Sequence, residues 1–220
     1  MVTSINNWWS AFDIYRYKNL VYLRTLKCAS TYYSKFFSEQ GWQYNTADTI
    51  DWDNDQVFSF IMDPYKRRLK GLTEFIVGNN KQELLSQDRL FWGGVLYLDM
   101  HSIPYFTCYG ERVNDIDWIP LDIVLDNKDS RIVTEELLSK MLFDRYQLQY
   151  TFPAKKEHTS SLEKIKIYKY LEEIIGHGNY AMHLGLTRDI ELYHQVVTRT
   201  CTWKLLTGSW DQDISWKRKI

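Results

Sequence analysis

Lys27-Cys-Ala-Ser-Thr31 is the segment of this sequence best equipped for chemistry. Its small residues let backbone N–H groups come close to an anion. A helix starting there adds unpaired amides and the positive end of its dipole. Lys27 supplies a mobile positive charge, and Ser30 and Thr31 supply hydroxyl donors. Together these groups suit a phosphate or a sulfate. The spacing is not GxxxxGK[ST], so a kinase or ATPase loop is not indicated. The plain alternative is a helix N-cap by Ser30 beside a solvated lysine.

Other candidate residues carry less. Asp51-Trp-Asp-Asn-Asp55 holds three acids but lacks the glycine and distal glutamate of a calcium loop, so it reads as a solvated turn. His177, His183 and His194 show no metal-ligand spacing. Cys28, Cys108 and Cys201 are odd in number and far apart, which excludes a disulfide framework and fits a reducing, cytoplasmic compartment.

The elements that must position Lys27 follow from the patterning. Asn19–Thr25 reads as a short buried strand, Leu26–Ser30 as a tight loop, and Thr31–Gln40 as a helix with Tyr33, Phe36 and Phe37 on one side. Gly41 is its stop. Gln56–Met62 is a second strand, broken by Asp63-Pro64. Pro64 opens a helix that ends at Gly78-Asn-Asn80. Further helices are expected over Lys81 to about Leu98, over Thr134–Tyr146, over Ser160–Ile175 and from Thr187 onward. Extended pieces are expected around Tyr105–Tyr109 and Trp118–Leu125. In the helix ending at Ile175, Leu162, Ile165, Tyr168, Leu171 and Ile175 share a face. Asp189 and Glu191 fall in the first turn of the last helix, where carboxylates favour the dipole. Strands alternating with helices predict a single α/β domain over residues 1–220, three-layered, with a mostly parallel sheet and a P-loop-like strand-loop-helix.

The bulk properties narrow the function. A chain of 220 residues with 45% hydrophobic and 25% charged residues supports one sizeable core. The net charge of -1 excludes a broad basic field for nucleic acid or membrane, so any anion site is local. No apolar run reaches the ~20 residues that span a bilayer. Aromatics reach 16%, with nine tryptophans, mostly expected in the core or pocket walls. Trp8, Trp9, Trp210 and Trp216 are the ones placed to cover surface or meet a partner. Thr151–Ser161 is the best loop candidate.

Val21-Tyr-Leu-Arg-Thr-Leu-Lys-Cys-Ala-Ser-Thr31 resembles the phosphosulfate-binding loop of the sulfotransferases, especially their carbohydrate and Golgi-type branch. The family form is a strand followed by Pro-Lys-Cys/Ser-Ala/Gly-Ser/Thr-Thr, and here Leu26 stands for the proline. Val57-Phe-Ser-Phe-Ile-Met-Asp-Pro-Tyr-Lys-Arg67 is similar to Phe-Val-Arg-Asp-Pro-Tyr-Glu-Arg, which follows in that family. There the first arginine and a later serine hold the nucleotide 3′-phosphate; Met62 and Lys70 occupy those positions. Arg67 and Lys70 are the candidates to replace them, while Lys66 and Arg68 individually read as a solvated basic face. Asp99-Met-His101-Ser-Ile-Pro104 resembles a His-x-x-Pro segment of the branch, and Leu186–Tyr193 resembles its closing helix. Members of this size and divergence occur in bacteria and their viruses.

The resemblance implies transfer of a sulfuryl group from 3′-phosphoadenosine 5′-phosphosulfate (PAPS) to an acceptor hydroxyl or amine, such as a sugar, phenol or peptide, with no metal. Lys27 would stabilise the leaving phosphate, and Cys28, Ala29, Ser30 and Thr31 would hold the phosphosulfate. Arg67 and Lys70 would take the 3′-phosphate. His101 would be the general base, since imidazole titrates near neutral pH; the bland alternative is a loop-ordering histidine. His158 would lie at the surface, and Asp63 would fix the strand-to-helix turn. The competing expectation is a non-catalytic nucleotide- or anion-binding module on the same fold.

Overall fold

Buried apolar runs form the centre of this molecule. The computed structural model describes residues 12–82, 85, 103–125, 128–153, 161–175 and 186–207. Strand β2 (Leu20–Leu23) is buried at all four residues, and β4 (Gln56–Ile61) at every residue after Gln56. Such unbroken apolar strands suit central positions covered on both faces. β1 (Asp13–Tyr17) pairs antiparallel with β2 through a two-residue turn, where Lys18 adopts φ 54°. β3 (Gln43–Thr46) pairs antiparallel with β1. β2, β4 and β5 (Ile116–Pro120) run parallel. The sheet order is β3-β1-β2-β4-β5. It is an open, mixed sheet and not the mostly parallel one expected.

That difference has a local cause. β1 and β3 are short and polar, and β3 is largely exposed at the sheet edge, so neither shows an apolar run. Only the pairing through β1 makes them strands.

Helices cover both faces. α1 (Ser30–Glu39) lies on the face made by Tyr22, Phe58 and Phe60: Phe37 meets Tyr22 at 4.9 Å, and Tyr33 stacks on Phe60 at 3.9 Å. α1 stops at Gly41, whose φ is 78°. Trp42 N donates to Phe37 O and Gly41 N to Ser38 O, a Schellman ending. α2 (Pro64–Gly78) starts as expected at Pro64, with the Asp63 side chain capping Lys66 N at 3.0 Å. On the opposite face, Tyr105 and Tyr109 sit against Trp118 at 5.3 and 6.0 Å.

These two tyrosines belong to a short helix, α3 (Tyr105–Tyr109), where an extended piece was expected. Its start is fixed from far away. Asp189 accepts from Tyr105 N at 2.5 Å and from Phe106 N at 3.0 Å. A cap supplied by a distant residue leaves no local signal.

α4 (Ser130–Tyr146) begins earlier than expected because Asp129 caps it through Arg131 N. α5 (Leu162–Ile175) and α6 (Thr187–Thr207) match the expected helices. The inward face of α5 is a correction. Ile167 and Leu171 are buried against Leu69, Leu72 and Ile76 of α2, whereas Leu162 is 78% and Ile165 39% exposed. Asp189 lies in the first turn of α6 as expected, and it is also fully buried and caps α3. Among the three acids of the 51–55 turn, Asp51 and Asp53 are exposed, but Asp55 is buried and pairs with Arg16 at 2.6 Å.

Among the described residues no helix is long and apolar enough to cross a membrane. The expected helix from Lys81, Trp8, Trp9, Trp210, Trp216, His158, His177 and His183 lie largely or wholly outside the described residues.

Candidate functional site

β2 and β4 are parallel neighbours, so the two segments singled out in the sequence leave the sheet side by side at its carboxyl end. Ligands in open α/β sheets occupy this edge. The chain leaving β2 is anchored first by a buried hydroxyl chain. Ser59 Oγ donates to Leu23 O at 2.6 Å, which turns its lone pairs toward Thr25 Oγ1 at 2.7 Å. Tyr109 OH lies 2.8 Å from the same Thr25 oxygen and supplies its remaining partner.

Beyond Thr25 the backbone alternates. Lys27 has φ 63° and Ala29 φ 51°, while Cys28 between them does not share the positive φ. Alternation of this kind is the backbone geometry from which anion-binding concavities are built in proteins generally. The amides of Lys27, Ala29, Ser30 and Thr31 find no acceptor among the described residues, whereas Cys28 N donates to Thr25 O at 3.3 Å. Ala29, not Ser30, is the N-cap of α1, and it makes no side-chain cap bond. The N-terminus of α1 is therefore open. Ser30 is buried as the first helical residue, and Thr31 is exposed.

Two side chains hold this loop from beneath. Cys28 Sγ is fully buried, 3.2 Å from Tyr105 OH. Burial pushes the thiol up, so Cys28 packs and does not react. The same Tyr105 hydroxyl accepts from Met62 N at 3.2 Å, which ties the end of β4 to the loop. Arg67 is 3% exposed. It donates through Nε to Leu26 O at 3.1 Å and through Nη1 to Ile103 O at 2.6 Å, and its guanidinium lies 4.4 Å from the Tyr105 ring centre. Arg67 thus positions the loop from below. Arg68, read from sequence as part of a solvated face, is 1% exposed, while Lys66 is exposed as expected. Each arginine follows its position on α2: residues 67 and 68 face the core, and 66 and 70 do not.

Lys27 points the other way, into a cleft of about 430 Å³ between α2 and α5 that Lys70 also lines. Its Nζ is 3.3 Å from Glu74 Oε2, and Lys164 Nζ reaches the same oxygen at 2.8 Å. The hydrogen bond from Lys164, followed by the charge of Lys27, holds the Glu74 carboxyl below its usual range. The sequence reading missed Glu74 and Lys164. Glu74 stands one helical turn after Lys70, so the place of both on one face of α2 was readable; the approach of α5 was not. Asp63 turns the chain from β4 into α2, as expected, and its amide donates to Asp122, which also accepts from Tyr193 OH at 2.8 Å. His101 lies outside the described residues. His194 is exposed on α6.

No family model, curated protein or solved structure matches this chain.

Proposed function

We propose that this protein is a sulfotransferase that moves a sulfuryl group from PAPS to an acceptor hydroxyl or amine. The observation that carries the reading is the loop after β2: alternating φ signs at Lys27, Cys28 and Ala29, with four amides that have no acceptor among the described residues. In this reading the amides of Lys27, Ala29, Ser30 and Thr31 take the 5′-phosphosulfate oxygens at the open end of α1. Thr31 adds an exposed hydroxyl. This is the P-loop-like role that the sequence suggested for the segment.

The chemistry is an in-line displacement at sulfur. The acceptor oxygen or nitrogen forms a bond to sulfur, and the bond from sulfur to the bridging oxygen breaks. The electron pair leaves with 3′-phosphoadenosine 5′-phosphate. Lys27 exchanges Glu74 for the bridging oxygen and stabilises the charge that develops there. The acceptor proton goes to a base, for which His101 is the proposed residue. The fold contributes positioning, since Arg67 and Tyr105 fix the loop on which alignment depends.

A second reading, a binding module without transfer, draws on Met62. The residue at the family's arginine position is 5% exposed and packed in the core, so it offers no charge to a nucleotide. Incubation with radiolabelled PAPS and a panel of sugars, phenols and tyrosine peptides separates the two. Transfer that disappears in Lys27→Ala is the expected result. Binding without transfer to any acceptor would favour the module, and transfer intact in Lys27→Ala would overturn the mechanism.

A further inference from the structure

The cleft beside the loop is built from three separate elements. Lys27 comes from the loop, Lys70 and Glu74 from α2, and Lys164, Lys169 and Glu172 from α5. Four lysines face two glutamates, so the wall carries a net positive charge of two in a chain whose total is -1. Lysines that merely solvate a helix spread over its outer face. Here they converge on one concavity from elements distant in sequence, and a concave wall of one sign concentrates its field on whatever enters. The volume, about 430 Å³, falls within the range of roughly 300–1,000 Å³ usual for small-molecule sites. Ile165 and Tyr168 give the same cleft an apolar side. Ile165 is 39% exposed there.

We infer that Lys70, Lys164 and Lys169 form a second anion subsite, which takes a phosphate- or sulfate-ester group while Lys27 serves the first. This rests on the proposed reading of the loop. α5 belongs to none of the segments that carried the sequence resemblance, so the subsite is a property of this chain's own packing. Lys164 and Lys27 meet on Glu74 Oε2, so the two subsites adjoin. Two ester groups of one nucleotide, or one from the nucleotide and one from an anionic acceptor, present the same chemistry to these lysines.

Calorimetry distinguishes these sources with three probes: 3′-phosphoadenosine 5′-phosphate, 5′-AMP and inorganic phosphate. Each is titrated into the wild type, Lys27→Ala and the double variant Lys164→Ala/Lys169→Ala. Lys169 is exposed and Lys164 partly so, which makes the double variant compatible with folding; near-ultraviolet circular dichroism checks it. The expected result is that the double variant binds the bisphosphate about tenfold more weakly and 5′-AMP within about twofold of wild type. Lys27→Ala weakens both. If the bisphosphate and 5′-AMP respond alike while inorganic phosphate still loses affinity in the double variant, the subsite stands and serves an acceptor's anion. If all three probes bind the double variant as they bind wild type, the subsite is overturned and the loop reading survives. If neither nucleotide binds wild type, the sulfotransfer reading fails, and the phosphate titration alone decides the subsite.

Discussion

Lys27 Nζ lies 3.3 Å from Glu74 Oε2, so the lysine proposed to serve the leaving group is held by a carboxylate across the cleft. An incoming anion has to replace that carboxylate. Glu74→Gln removes the competitor and keeps the shape. We expect affinity for 3′-phosphoadenosine 5′-phosphate to rise about threefold to tenfold, since partly exposed ion pairs are modest. The pH dependence follows from the sign of the shift. Glu74 titrates below its usual range, so the pair persists above that range and is lost only as pH falls through the lowered value. The gain from Glu74→Gln is therefore constant between pH 5 and 8 in calorimetric titrations. A gain that vanished toward pH 8 would contradict the pairing.

Arg67→Ala is expected to destabilise the fold by roughly 3 kcal/mol, because it removes the guanidinium donor from the half-buried Leu26 carbonyl and leaves the buried Ile103 carbonyl with only the weak Cys108 thiol. Arg67→Lys keeps the charge but not the fork that reaches both carbonyls, so it recovers less than half of the loss. Urea unfolding reads both values. A cost below about 0.5 kcal/mol for Arg67→Ala would mean that the arginine does not hold the loop.

Ala29 has a left-handed backbone at φ 51°, where an L-residue pays about 1 kcal/mol relative to glycine. Ala29→Gly is expected to raise the thermal midpoint, and Ala29→Val to lower it, because a β-branched residue resists that region most. Equal midpoints for the two variants would exclude the assigned conformation.

Asp189 is a buried carboxyl whose pKa rises to about 6 through desolvation, offset in part by the amides of Phe106 and Tyr105. The fold favours its protonated form. This group therefore costs nothing below its ordinary value near 3.8 and imposes its full penalty above about 6. The difference in unfolding free energy between wild type and Asp189→Asn should move against the wild type by roughly 2–3 kcal/mol between pH 4 and 6.5. Parallel profiles for the two proteins would show that Asp189 keeps its ordinary value.

Much of the scaffold around Lys27 was legible in the sequence. The strand over residues 20–23, the small-residue loop and the helix with Tyr33, Phe36 and Phe37 inward all follow from local patterning. So does the Asp63-Pro64 start of α2. What was hidden depends on contacts between distant segments. β1 and β3 acquire strand character only by pairing, α3 is capped by Asp189, and Arg67 turns inward to carbonyls on two other segments. The cleft was hidden for the same reason. Lys164 and Lys169 look like ordinary charged residues of an amphipathic helix until α5 packs on α2 and sets them opposite Lys27 and Lys70.

The most direct test of the central claim is a calorimetric titration of the full chain with 3′-phosphoadenosine 5′-phosphate, with Lys27→Ala as its partner experiment. The account predicts saturable binding to the wild type that weakens at least about tenfold in Lys27→Ala, the loss expected when one charge-assisted contact to a phosphate is removed. No binding to the wild type at millimolar ligand, or equal binding to both proteins, would contradict it.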